Sequence, residues 1–207
     1  MAKQIEGVYE RILDCAKEEF LAKGFKDASL RVIAKNANTS TGSIYTRFKD
    51  KNGLFEALVK PVTDMIKDMC AEIETTFEKR DAVTQSETMA EFTSESDVDM
   101  INFIYDHKDI VLLLVNCAYG TKFENFLDEF IEIEANSTIH YLKVIGHGDV
   151  LDNPVLLSFI HTLAVTYCRG MLDSVLNGLS REEAHAYVQY FNQYHTSGFN
   201  TLFKLKA

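Results

Sequence analysis

Proline occurs at only two positions of this 207-residue chain, 61 and 154, and that scarcity restricts the fold more than any other feature. Proline interrupts helices by removing a backbone donor, and without it apolar residues recur here at intervals of three and four over long stretches. No alternating strand pattern competes, so the sequence predicts an all-α protein. Ile5, Val8, Ile12, Ala16 and Phe20 share one face of a first helix, which Gly24 can close near Lys23 with a left-handed cap. Ser29 can cap a short helix over 30–37 that turns Leu30, Ile33, Ala34 and Ala37 inward, and Asn38 tolerates the positive φ of a turn. Ser40 or Thr41 can then cap a second short helix through Arg47, anchored by Ile44 and Phe48. Two short helices joined by a turn of about three or four residues make a helix-turn-helix.

Asp50 can cap a long fourth helix carrying Leu54, Phe55, Leu58, Val62, Met65, Ile66, Met69 and Ile73, with a bend expected just before Pro61. The stretch 79–99, rich in Glu, Thr and Ser, reads as a loop or frayed helix and a conceivable lid. Further helices are expected over 99–106, 110–119 and 122–144, and a loop over 146–153. Another helix then opens at Pro154 behind Asn153 and stops at Asn177-Gly178. Ser180 and Glu183 form a capping box for the last helix, which runs to about Phe203. The expected division is a DNA-binding domain over 1–52 and a helical domain over 53–207.

The net charge of −10 looks unsuited to nucleic acid until it is divided. Residues 1–53 carry ten Lys and Arg against seven Asp and Glu, a net of +3, and the remainder nets −13. Phosphate binding needs only a local positive surface, so the asymmetry suggests two modules with different partners. The longest uninterrupted apolar run, Ile110 to Val115, is far shorter than a bilayer span of about 20 residues, and the start lacks a signal-peptide pattern. No membrane partner and a cytoplasmic location are therefore expected. Cys15, Cys70, Cys117 and Cys168 are too widely spaced for a zinc site or a disulfide framework, and the six histidines form no HExxH pair. No metal and no cofactor are expected.

The helix-turn-helix becomes specific through Ala34-x-x-Ala37-Asn38-x-Ser40-x-Gly42-x-Ile44-Tyr45-x-x-Phe48-Lys49-Asp50-Lys51-x-x-Leu54-Phe55, with Phe20, Gly24, Phe25 and Ser29 at fixed distances before it. Small Ala34 lets two helices approach, and Gly42 keeps the second one slim. Over residues 5–59 the sequence resembles the TetR family of transcriptional regulators. That resemblance implies a second helix lying in the major groove of an operator duplex. Carried onto this chain, Thr39, Ser40, Thr41, Gly42, Ser43, Tyr45, Thr46 and Arg47 are candidate DNA contacts, and Leu30, Arg31 and Lys51 are candidate phosphate contacts. Thr46 and Arg47 stand where the family frequently has an aromatic and a histidine. Arg47 can pair bidentately with guanine, which points to an atypical site.

The resemblance also implies a homodimer acting on palindromic double-stranded DNA, as a ligand-responsive repressor or as an activator of the same fold. Leu156, Phe159, Leu163, Tyr187, Phe191 and Tyr194 on the last two helices are candidate interface residues. Asn116, Tyr119, Phe123, His140, Thr166 and Arg169 are candidate contacts for an unidentified small-molecule effector. Arg169 and Asp173, four apart, can instead pair with each other. A thiol enzyme or hydrolase built on Cys117 or Cys168 with His140 or His161 finds no supporting motif, so no enzymatic activity is expected. A helical scaffold without a DNA role is the other class, distinguished by a flat response of duplex binding to salt.

Overall fold

The computed structural model describes residues 7–204, so Ile5 and its expected place on the first helix lie outside the described residues. Nine α-helices and no strand occur among the described residues. In chain order they are α1 (Val8–Asp27), α2 (Leu30–Asn36), α3 (Thr41–Phe48), α4 (Lys51–Glu78), α5 (Ala82–Asp106), α6 (Lys108–Leu112), α7 (Phe126–Val144), α8 (Pro154–Leu176) and α9 (Arg181–Phe203). They form two compact units. One combines residues up to Asp68 with His107–Phe126, and the other combines Met69–Asp106 with the residues from Leu127 onward.

In the first unit α1 buries Ile12, Ala16, Phe20 and Phe25. Gly24 interrupts it with φ 74°, a left-handed value that only glycine adopts without strain, and one further turn carries the chain to Asp27. Phe20, Phe25 and Phe55 then pack with ring centroids 5.2 to 5.9 Å apart. Ile33, Ile44 and Leu54 fill the remaining core with no exposed surface, each contributing about 1.5–3 kcal/mol by leaving water.

The expected boundary at residue 52 differs from the compact units, because the segment after α5 returns to this core. α6 continues into a π-helical turn, Leu113–Cys117, and Leu113, Leu114, Cys117 and Ala118 join the cluster around Phe20 and Phe55. The run Ile110 to Val115 is therefore largely core of the helix-turn-helix unit. Nothing in its composition says which unit it serves.

In the second unit the stretch 79–99, expected as a loop or frayed helix, is from Ala82 onward the regular body of α5. Asp81 starts it, accepting from the amides of Val83 and Thr84 at 3.1 Å. Two of the four buried positions of α5 are Gln85 and Asp97, so polar residues stand where apolar ones would have announced a helix. α5 accordingly begins well before the expected 99, and α7 begins at Phe126 and not at 122. The stretch 146–153 holds a 3-10 turn, Gly148–Asp152, that buries Val150. The terminal helices start where local chemistry dictates. Asn153 Oδ1 accepts from the amides of Val155 and Leu156, and Ser180 and Glu183 close a reciprocal capping box.

α8 is the one described helix long and apolar enough, by length and composition, to cross a membrane, a possibility that uninterrupted apolar runs do not reveal. Of its most apolar stretch only 28% is buried inside the chain. Val155 and Phe159 of α8 and Tyr190 and Tyr194 of α9 are exposed.

Candidate nucleic-acid interface and interior polar cluster

α3 is pinned from behind and free in front. Ile44 and Phe48 are buried, and Phe48 stacks on Tyr9 of α1 with centroids 5.1 Å apart. Asn38 takes φ 51° in the turn before it, and Ser40 Oγ accepts from the Ser43 amide at 3.1 Å, so the cap falls on Ser40 and not on Thr41. The helix that follows is set just as tightly. The Gly53 amide donates to Asp50 Oδ1, and a Cβ at Gly53 would stand 1.9 Å from the Phe48 carbonyl oxygen. Gly53 is thus required for the close approach of α3 and α4, a role that sequence reading passed over because one glycine in a first turn is unremarkable.

The expected contact residues gather on the opposite side of α3 and just before it. Tyr45 is 53% exposed, Ser40, Gly42, Thr46 and Arg47 are exposed, and Thr39, Thr41 and Ser43 are half-buried. Arg31 is exposed at the start of α2, beside half-buried Leu30. Two side chains hold internal partners. Arg47 folds back on its own helix, Nη1 donating to Ser43 Oγ at 2.6 Å and to the Ser43 carbonyl at 3.2 Å. Thr46 Oγ1 donates to the Gly42 carbonyl at 2.8 Å. Lys51 is more deeply committed: Nζ donates to the carbonyls of Lys26 and Ala28 at 2.9 and 3.0 Å and lies 4.8 Å from the Phe25 ring centre. Burial lowers its pKa, with Asp27 opposing, so Lys51 ties off the end of α1 whatever else it touches.

The six candidates for effector contacts do not come together. Asn116, Tyr119 and Phe123 fall in the first unit. Tyr119 is 70% exposed beneath Lys26, and Phe123 packs near Phe55. In the second unit His140 is exposed and 3.5 Å from Glu78, Thr166 is exposed and bonds the Thr162 carbonyl, and Arg169 is exposed. No ion pair joins Arg169 to Asp173 among the described residues. Helical spacing groups residues by face but does not say what covers a face.

The interior of the second unit holds a different polar group. Asp97 of α5 is 4% exposed, and its Oδ1 accepts from the Tyr167 hydroxyl of α8. Its Oδ2, both side-chain polar atoms of Asn192 in α9, and His195 Nε2 are buried without a hydrogen-bond partner. Each such atom costs about 1–3 kcal/mol, so four in one neighbourhood are a substantial local penalty. Burial first, and then the charge of Glu134 in α7, push the Asp97 carboxyl up to about 7 against the opposing pull of Tyr167 and Asn192. Burial and the neighbouring Glu74 raise Glu134 as well. Burial also pushes Cys70 up to about 11 and Cys168 up to about 12, which makes both thiols unreactive near neutral pH. The residue pattern gave no warning of this cluster, since Asp97 sits in the segment read as a loop or frayed helix.

Of the interface candidates, Phe159 and Tyr194 are exposed at 44% and 76%. Leu163 and Tyr187 are half-buried. Leu156 packs into the cluster around Tyr141 and Leu142. Phe191 is committed within the chain, stacked on Tyr167 and pressed against Gly170, where a Cβ would meet its ring at 2.3 Å.

Such a fold, a helix-turn-helix unit and a larger helical unit, defines a two-module helical protein in which the second helix of the helix-turn-helix presents an exposed polar side. Residues 12–58 match the model of the family described as bacterial regulatory proteins, tetR family. The chain is thus TetR-like in its helix-turn-helix, as the resemblance implied, and the family is one of transcriptional regulators and not of enzymes. Among similar curated proteins, the uncharacterized HTH-type transcriptional regulator YvdT of Bacillus subtilis is 42% identical over 60 residues, which are 29% of this chain and 31% of that protein. The HTH-type transcriptional regulator BetI of Escherichia coli is 38% identical over 58 residues, 28% of this chain and 30% of that one. The matched stretch therefore spans under a third of either relative. Over the whole fold, a transcriptional regulator of the TerR/AcrR family from Aquifex aeolicus superposes with TM-score 0.60 at 20% identity, covering 91% of this chain and 99% of its own. A TetR-like transcriptional regulator from Rhodococcus gives 0.62 at 16% identity, covering 92% and 96%. At such identities these two likenesses establish the all-helical fold and nothing finer.

Proposed function

We propose that this chain is a DNA-binding transcriptional regulator that acts as a homodimer on a palindromic operator and releases it, as a repressor does, when a small molecule binds the helical unit. The observation that carries the reading is the free polar side of α3, with Tyr45 half exposed at its centre and Ile44 and Phe48 locking the other side. The unusual Arg47 fits a guanine-containing site, provided that it leaves Ser43 for the base. The exposed apolar residues of α8 and α9 support a two-fold interface better than a membrane span. Thr162, Thr166, Arg169 and Asp173 lie exposed on α8 itself, and a charged side chain facing lipid costs about 2.5–3.5 kcal/mol or more. Reading heads on successive major-groove faces must stand about 34–36 Å apart, so an effector need alter that spacing by only a small amount. α4, which has residues in both units, is the natural element to carry the change. A soluble DNA-binding protein of this kind works in the cytoplasm.

Selection of bound duplexes from a randomised pool, followed by titration at several salt concentrations, tests the proposal. The expected product is a palindrome whose affinity falls steeply with salt. Tyr45→Ala with Arg47→Ala should reduce that affinity at least tenfold while the far-UV spectrum and the mass in solution stay unchanged. Duplex binding that is indifferent to salt and to both substitutions would favour the helical scaffold.

A further inference from the structure

Four helices of the second unit converge on side chains whose hydrogen bonding they leave incomplete. Asp97 (α5), Glu134 (α7), Tyr167 (α8), and Asn192 and His195 (α9) are all members. Asn192 is only 8% exposed and near enough to Asp97 to help hold its carboxyl down, yet neither its amide nitrogen nor its oxygen has a partner in good hydrogen-bond geometry, and enclosed Asp97 Oδ2 has none either. Aromatic rings line the same place. Tyr167 stacks on Phe191 at 5.8 Å, and His195 lies 5.7 Å from Tyr167 and 4.3 Å from Phe191. Glu134 is near enough to raise Asp97 and Glu74 near enough to raise Glu134, and no Lys or Arg among the described residues pairs with Asp97 or Glu134.

We propose that this cluster recognises a small organic cation, a protonated or quaternary amine with an apolar body, whose charge Asp97 and Glu134 hold and whose body Tyr167 and Phe191 cover. The assignment names the effector class for the sensing role proposed above and rests on that role only for its effect on DNA. Two unpaired carboxyls with π faces beside them suit such a cation. An anion would meet two acids and no base. Burial holds the His195 imidazole below its usual value, so it is neutral near pH 7 and supplies no competing charge. A metal ion is ill matched, since no group of three ligating side chains occurs among the described residues.

The chemistry has a signature. Asp97, facing Glu134, Tyr167 and Asn192 and raised to about 7, must give up its proton to the solvent when a cation binds. Apparent affinity should therefore fall at least tenfold per pH unit below about 7, and Glu134, which burial also raises, steepens the fall where it takes up its own proton. Tyr167 and Cys168, both raised by burial, remain protonated throughout and do not alter that slope.

Calorimetric titration of the full chain at pH 8 with benzyltrimethylammonium, and with its uncharged carbon isostere neopentylbenzene, tests the assignment. The cation should bind at least tenfold more tightly than the isostere, and more weakly at pH 6 by about tenfold or more. Asp97→Asn and Glu134→Gln should each lose at least tenfold, whereas Tyr190→Ala, on the exposed face of α9, should bind as the parent does. If Asp97→Asn fails to fold, proton release by the unmodified chain, read in two buffers of different ionisation enthalpy, decides the matter. No binding of the cation at millimolar concentration, equal binding of cation and isostere, or affinity flat between pH 6 and 8 would overturn the assignment. Operator affinity is read separately: a cation that binds as described yet leaves DNA affinity unchanged refutes the sensing role and spares the site.

Discussion

Replacing Asp97 by Asn should stabilise the empty protein, and by an amount that depends on pH. In the unfolded chain this carboxyl titrates near its ordinary 3.8, whereas in the folded protein burial holds the proton up to about 7. The folded state therefore binds more protons across that window, and stability falls as pH rises through it. A difference of about 3 units at roughly 1.4 kcal/mol each gives about 4 kcal/mol, complete above pH 7 and absent below pH 4. Asp97 is 4% exposed, so solvent screening removes little of it. Asparagine has no proton to lose, keeps an oxygen for the Tyr167 hydroxyl, and offers an N–H to the unbonded Asn192 Oδ1. Urea unfolding of both proteins, followed by far-UV circular dichroism at pH 4.5, 6 and 7.5, isolates the effect, because most other groups titrate alike in the two. The stability difference should widen by several kcal/mol from the lowest pH to the highest. Parallel curves, with the variant offset by a constant, would refute the argument that an unpaired acid is being held in the interior.

The other expectations concern the first unit and the exposed face of the second. Gly53→Ala drives a Cβ into the Phe48 carbonyl and should cost about 1–3 kcal/mol or more, seen as a lower melting temperature together with lost duplex affinity. Ser40→Ala removes the α3 cap and should cost about 1 kcal/mol, measurable by urea titration. Lys51→Met frees the carbonyls of Lys26 and Ala28 and should lower thermal stability while changing the salt slope of duplex binding by less than one unit; a full unit would make Lys51 a phosphate contact first. Phe159→Glu with Tyr194→Glu, both at exposed positions, should yield a folded monomer by light scattering, and an unchanged dimer would move the interface elsewhere.

Sequence alone settled whatever depends on neighbours in the chain. The all-α class, the caps at Asn153 and Ser180, the left-handed turn at Asn38 and the split of α3 into a buried and a polar side follow from residues a few positions apart, and these also set the candidate surface for DNA, whereas the choice of Ser40 over Thr41 as the α3 cap came from the structure. Tertiary structure decided what depends on distant partners. Only packing could assign Leu113, Leu114 and Cys117 to the core of the helix-turn-helix unit. It alone could engage Lys51 with the end of α1 and place Asp97 among Tyr167, Glu134 and Asn192. Asp97 was illegible for a physical reason. A buried acid breaks the apolar rhythm by which a helix is recognised, and its significance arises from three other helices whose approach no local pattern encodes.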